Sequence, residues 1–238
     1  MLPRELREAL IEDLGQLVRL HDRELDAETW AAMQETAFPD NLALLPGAGR
    51  ELLRESLREI PTHPGLLEAL AVDYAAIYLT GALGASPCES VWVSEEHLNC
   101  ESPMFELAQL YADHGLRIAD RCRRYDDHLV CQLQFLQHLL SREDGDPAAM
   151  ANFIDEHLGY WIADFAGRVA MRCDAPFYAG LAMLTAAWID RLRDCLAELM
   201  SQERPSRAAV AAKLAARRSV AIQSVAPIRF MPGTGPSL

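Results

Sequence analysis

The sequence predicts an all-α protein of about nine helices. Leucines in the run from Leu129 to Leu140 recur every three or four residues, a spacing that places them on one face of a helix. No segment alternates apolar and polar residues as a half-buried strand does. A side chain that caps helices precedes a proline at Ser102-Pro103 and at Asp146-Pro147. Proline is favoured at the first helical position, where no N–H bond is lost.

The same spacing defines the helices in chain order. Apolar positions from Leu6 to Leu17 define the first helix, those from Leu66 to Ile77 the fourth, and those from Phe177 to Leu192 the eighth. Gly115 is predicted to end the fifth helix, because glycine readily adopts the left-handed conformation found after a last helical turn. The predicted helices cover residues 3–21, 27–37, 48–60, 65–80, 103–114, 127–142, 147–172, 175–201 and 206–222.

Two parts of the chain differ from this pattern. Residues 81–101 contain glycine, proline and apolar side chains, and a loop of that length in a helical domain is more often functional or packed than idle. Residues 202–238 carry six basic residues and one acidic residue, and they end in a stretch containing Pro and Gly. We therefore expect a single helical domain over residues 1–201, and a basic C-terminal helix with a flexible tail over residues 202–238.

The charge of the chain limits its partners. It contains 22 basic and 35 acidic residues, a net charge of −13, of which +5 lies in residues 202–238 and −18 in residues 1–201. A body this acidic repels nucleic acids and anionic membranes, so neither is expected as the main partner. A basic partner is favoured.

Sequence motifs for cofactor binding and catalysis are missing. The six cysteines are scattered singly, and no two of the seven histidines are three or four residues apart, the spacing that places two metal ligands on one helix face. The sequence has no GxGxxG, GxxxxGK[ST], GxSxG or HExxH. We expect reduced thiols, no metal, no cofactor and no enzymatic activity. Since no apolar run resembles a secretory signal or a membrane span, we also expect a cytoplasmic protein without stable membrane insertion.

The polar cluster Asp126-Asp127-His128 precedes the apolar helix that begins near Leu129. An aspartate at a helix start accepts backbone N–H bonds and complements the helix dipole, so capping is the simpler interpretation. The alternative is an acid–base pair of Asp127 and His128, although no nucleophile motif accompanies it.

Three stretches taken together resemble the TorD/DmsD/NarJ family of redox-enzyme maturation chaperones. The segment Tyr74–Tyr78, followed by Pro87-Cys88-Glu89-Ser90-Val91-Trp92, is similar to the family's aromatic helix end and the loop after it. Asp127-His128-Leu129 is similar to the end of the family's E-P-x-D-H motif and the helix that follows it. The segment from His157 to Phe165, followed by Ala175-Pro176-Phe177-Tyr178, is similar to its late HL-x-x-W-x-x-x-F and PFY segments.

The resemblance implies an all-helical, TorD-like fold and a cytoplasmic chaperone. The implied partner is the catalytic subunit of a molybdopterin-containing oxidoreductase, bound through its twin-arginine signal peptide until the cofactor has been inserted. Some family members act on subunits that lack such a signal. Because some relatives exchange domains, this protein could be a monomer or a homodimer. Arg124-Tyr125 stand where the family motif has Glu-Pro, so any role of that glutamate or proline is in doubt here.

The client groove implied by the resemblance combines the Tyr74–Trp92 segment with the start of the helix at 127–142. Two other functions stay open. A nucleotide-using or hydrolytic enzyme with an Asp127-His128 acid–base pair would show turnover without a client. A structural assembly subunit would remain permanently in a complex. The predicted peptide-binding residues are Tyr74, Ile77, Tyr78, Pro87, Glu89, Ser90, Trp92, Asp126, Asp127, His128 and Gln132.

Overall fold

The computed structural model describes residues 2–63, 65–94, 96–119, 124–143 and 145–224, with only the backbone described for 218–224. Contacts divide the chain into two units, residues 1–204 and residues 205–238. The boundary after Ser201 stays a prediction, and residues 225–238 of the predicted flexible tail lie outside the described residues.

The described residues form α-helices and no strand, which confirms the predicted all-α fold. Each of the nine predicted helices has a counterpart. A π-helical turn, Ala75–Leu79, extends the helix predicted at 65–80, and a second, Ile154–Leu158, interrupts the single helix predicted at 147–172. The helices of the first unit are α1 Arg4–Asp22, α2 Ala27–Glu35, α3 Arg50–Glu59, α4 Leu66–Tyr74, α5 Ser90–Val93, α6 Ser102–Asp113, α7 Leu129–Ser141, α8 Pro147–Phe153, α9 Gly159–Arg172 and α10 Pro176–Met200, and the second unit contains α11 Arg207–Ser224.

The four-residue helix α5 corrects the prediction that residues 81–101 are irregular throughout. A helix this short has no apolar periodicity of its own, so the sequence could not reveal it. Gly115 ends α6 as predicted, with φ +72°, and Asp146 caps α8 by accepting a bond from Ala148 N at 2.9 Å.

Helix α10 is the centre of the core, where it packs against α9, α3, α8 and α4, while α1 packs against α7. Its side chains Phe177, Tyr178 and Trp188 are fully buried. The contact with α3 depends on Gly49, which precedes α3 with φ +76°. A Cβ at Gly49 would lie 2.2 Å from the carbonyl oxygen of Gly180, so only glycine allows these backbones to approach this closely.

A buried carboxylate joins the segment after α2 to this core. Asp13 Oδ2 accepts hydrogen bonds from Trp188 Nε1 at 2.8 Å and from the Ala43 N–H at 2.9 Å. Burial raises the pKa of Asp13, because removing water disfavours the charged form. These bonds link α1, α10 and the loop that follows α2.

A buried histidine links three helical segments. His21 Nδ1 lies 2.6 Å from the Tyr78 hydroxyl, and Nε2 lies 2.9 Å from Thr185 Oγ1. Burial lowers the pKa of His21 to about 3, so the ring is neutral near pH 7. Within the described residues, no helix combines the length and apolar character needed to cross a membrane, and no group of three or more His, Cys, Asp or Glu side chains is arranged to hold a metal ion.

We predict that His21→Gln weakens the acid sensitivity of folding. Below about pH 6.5 the unfolded chain binds a proton at His21, whereas the folded protein does so only near pH 3, so the wild type loses stability as pH falls through this window. Removing one such group should reduce that loss by up to about 1.4 kcal/mol per pH unit. The raised pKa values of buried carboxyls act in the opposite direction, but they are common to both proteins.

Urea unfolding at a series of pH values from about 7 to about 4 measures this difference, because the free energy of unfolding at each pH reports the protons bound by the two states. The exposed His63→Gln is the matched control and should leave the wild-type pH dependence unchanged. If the free energy of unfolding changes with pH in the same way in the wild type and in His21→Gln, then His21 does not stay neutral in the folded protein.

Candidate binding site

The predicted site segments meet at one corner, where the loop before α5 pairs with the residues that open α7. Leu129 N donates to the Pro87 carbonyl oxygen at 2.7 Å, and Glu89 N donates to the Asp127 carbonyl oxygen at 3.1 Å. Cys88 and His128 face each other in an isolated antiparallel bridge. The resemblance therefore identified segments that are in direct contact.

Asp127 does not cap α7, so the capping interpretation is wrong for this residue. Its Oδ2 accepts a hydrogen bond at 2.8 Å from the N–H of Ser90, the first residue of α5. The side chain is completely buried, and burial raises the pKa of Asp127 while hydrogen bonds from Ser90 oppose the rise. Asp127 thus fixes the start of α5 from a position 37 residues later in the chain.

His128 is the residue that caps α7. Its Nδ1 accepts a hydrogen bond from Val130 N at 3.1 Å, and burial lowers the pKa of His128 to about 3. A neutral ring with Nδ1 occupied by a backbone N–H, next to a carboxylate that binds Ser90, is not arranged as an acid–base couple. The geometry gives no support to the enzymatic alternative.

Glu89 lies at the centre of the buried polar network. Its Oε2 accepts a hydrogen bond at 3.0 Å from Gln132 Nε2, and its Oε1 lies 3.1 Å from His157 Nδ1. Gln132 also donates to the Asp127 carbonyl oxygen at 2.9 Å, and Trp161 Nε1 lies 3.4 Å from Gln132 Oε1. Burial raises the pKa of Glu89, and His157 opposes that rise. We call Glu89, Asp127, Gln132 and His157 the buried network.

The aromatic members of the predicted site form a second, adjoining cluster. The rings of Tyr74 and Tyr78 lie 4.8 Å apart, and both lie near Tyr178. Phe165 links Tyr78, at 6.5 Å, to Trp92, at 6.3 Å. Ile77, also predicted for the site, is fully buried in the core. The loop is held from outside as well, since Arg168 lies over the Trp92 ring at 5.4 Å.

Arg124, which departs from the family pattern, has a clear contact of its own. Its guanidinium forms an ion pair with the Asp22 carboxylate and donates to the Asp22 carbonyl oxygen at 3.0 Å. The Tyr74 hydroxyl donates to the same carbonyl oxygen at 2.6 Å. Arg124 therefore connects the end of α1 to the segment that opens α7.

The predicted site residues are mostly inaccessible in this structure. Only Tyr78 and Trp92 are partly exposed. The buried members include Pro87, Glu89, Ser90, Asp126, Asp127, His128 and Gln132. The structure thus brings the predicted residues together in a network and an aromatic cluster, while their contact with a client stays a prediction. His157 was missing from the predicted set, although it opens the third stretch that carries the resemblance.

The fold and this corner define an all-α protein without a recognisable catalytic constellation in the part of the chain that the structure describes. Residues 42–167, more than half of the chain, match the family described as nitrate reductase delta subunit. The chain belongs to this family, the NarJ/TorD family of redox-enzyme maturation chaperones, which are not enzymes.

Two TorD chaperones are among the proteins to which the chain is similar. The chain is 27% identical over 191 residues to the chaperone protein TorD of Vibrio cholerae, covering 75% of this chain and 86% of that protein. It is 30% identical over 182 residues to the chaperone protein TorD of Shewanella loihica, covering 71% and 84% respectively. A crystal structure from Archaeoglobus fulgidus assigned to redox enzyme maturation is 19% identical, with a TM-score of 0.48 over 82% of this chain and 96% of that one.

We predict that Glu89→Ala destabilises the fold by about 2–4 kcal/mol, because it leaves Gln132 Nε2 and His157 Nδ1 buried without their partner. Glu89→Gln keeps an acceptor for one of these groups and should cost less than half as much. Urea unfolding of both variants measures the two losses. Glu59→Ala, at an exposed position on α3, is the control and should stay within about 0.5 kcal/mol of the wild type. Equal stability of Glu89→Ala and the wild type would contradict the network's structural role.

Proposed function

We propose that this protein is a cytoplasmic chaperone that binds the precursor of a molybdopterin redox enzyme through its twin-arginine signal peptide. It holds the precursor while cofactor is inserted, and then releases it for export or assembly. The observation that carries the proposal is membership of a family whose matched relatives are named TorD chaperones. The first two family-like stretches also pair at one corner, and His157 of the third contacts Glu89 there.

The charge of the protein supports a client that bears arginine. Residues 1–201 carry a net charge of −18, and carboxylates bind guanidinium groups through paired, charge-assisted hydrogen bonds. The signal peptide's apolar stretch requires an apolar surface as well.

The buried network fits this function as a positioning device. Asp127 and Glu89 hold the start of α5 against α7 and the turn before α9. We propose that the predicted site residues support client binding mainly by fixing this surface.

Purification of the tagged protein from its own host, followed by mass spectrometry of co-eluting proteins, tests the function. We expect the catalytic subunit of a molybdopterin enzyme, in its precursor form and in substoichiometric amount. A fixed one-to-one complex with a mature enzyme would favour a structural subunit instead. Recovery of no such enzyme under conditions that induce it would contradict the proposal.

We predict that Asp127→Asn changes the affinity for the client signal peptide by less than about threefold. The substituted amide side chain retains an oxygen for the Ser90 N–H, and the carboxylate charge that is removed is buried away from the surface. Calorimetric titration and thermal melts on the same samples measure affinity and stability together. A loss of affinity of about tenfold or more, equivalent to about 1.4 kcal/mol, with an unchanged melt would mean that Asp127 contacts a client arginine directly.

A further inference from the structure

Two adjoining cavities run along α1, away from the buried network. The first, of about 500 Å³, lies between α1 and α2. The second, of about 490 Å³, continues past the end of α1. The two cavities share the lining residues Gly15, Arg19, Thr29 and Ala32, so they lie side by side. We call the pair the α1–α2 groove.

The two ends of this groove differ in chemistry. The first cavity includes the apolar side chains Ile11, Leu20, Met33 and Phe38, of which all except Ile11 are buried. A surface of this kind can accept apolar side chains from a ligand, because covering it removes apolar area from water.

The second cavity is acidic. It is lined by Asp22, Glu24, Asp26 and Glu28 against two arginines, Arg19 and Arg23. Asp22 pairs with Arg124, and Asp26 caps α2 by accepting a bond from Thr29 N at 2.7 Å. Within the described residues, Glu24 and Glu28 are exposed and make no ion pair. Two carboxylates at this end are therefore available to a cationic ligand.

The length of the groove fits a peptide. From Ile11 to Asp22, α1 advances about 16 Å, at about 1.5 Å per residue. An extended chain covers that distance in about five residues. The open surface, the acidic end and the apolar end together match a short segment with a cationic part followed by an apolar part.

We propose that the α1–α2 groove binds the client segment in which arginine is followed by apolar residues. Its guanidinium group contacts Glu24 and Glu28, and its apolar side chains occupy the end formed by Leu20, Met33 and Phe38. This inference rests on the proposed function, and it assigns client contact to a surface that does not include the buried network.

The test is fluorescence anisotropy with a labelled synthetic peptide of about 20 residues, in which an Arg-Arg pair precedes an apolar stretch. The double variant Glu24→Gln, Glu28→Gln should bind about tenfold more weakly, because it removes both available carboxylates at the acidic end. Glu55→Gln with Glu59→Gln removes two exposed carboxylates from α3 and is the matched control, with an expected change of less than about twofold.

A second pair of variants tests the groove sterically without changing charge. Ala32→Phe places a ring where the two cavities join and should weaken binding by about tenfold or more. Ala31→Phe adds the same ring at an exposed neighbouring position and should have little effect. Thermal melts of each variant identify any loss of peptide binding that is caused by unfolding of the protein.

The outcomes separate this inference from the proposed function. If the wild type binds the peptide and both groove variants bind it equally well, the groove assignment is wrong while signal-peptide binding stands. If the folded wild type does not bind the peptide, signal-peptide recognition itself is contradicted, and the groove assignment with it. Weaker binding by the charge variant and by Ala32→Phe, with both controls unchanged, supports the groove.

Discussion

The buried carboxylate of Glu89 is the constraint on which the corner between α5, α7 and α9 depends. A polar group without water must be paired, and Glu89 finds its partners, Gln132 and His157, on two separate elements. Satisfying one side chain therefore fixes the relative position of three parts of the chain. Asp127 adds a third contact by holding the start of α5. These bonds hold the α5 segment in place, because a helix of four residues is too short to be stable by itself.

The π-helical turn before α9 makes this arrangement possible. It directs His157 towards Glu89, while Asp155 from the same turn forms two hydrogen bonds of 2.8 Å with Arg193 on α10. Gly159 follows the turn, and a Cβ there would lie 2.8 Å from the Ile154 carbonyl oxygen. The wider turn thus requires a residue without a side chain at its end, and it links the core around α10 to the buried network.

Local sequence was sufficient for the helices longer than α5, but not for the contacts between them. Leucine spacing and the caps at Asp146 and Gly115 are properties of neighbouring residues, which is why the predicted helices have counterparts in the structure. The partner of Asp127 lies 37 residues earlier, so a local interpretation as a helix cap was reasonable and wrong. The bond between His21 and Thr185 spans 164 residues and leaves no pattern in the sequence. The site segments were found only through resemblance to a family, and the α1–α2 groove exists only once the helices have packed.

Reversible binding explains why client contact is better assigned to an exposed groove than to the buried network. A buried carboxylate such as Asp127 could capture an arginine only if the guanidinium entered the interior, where both charges would lose water. Exposed carboxylates such as Glu24 and Glu28 stay hydrated before and after binding, so their contribution is modest and depends on salt. A chaperone must let its client go, so an exposed acidic surface such as the proposed α1–α2 groove suits reversible capture better than the buried network does.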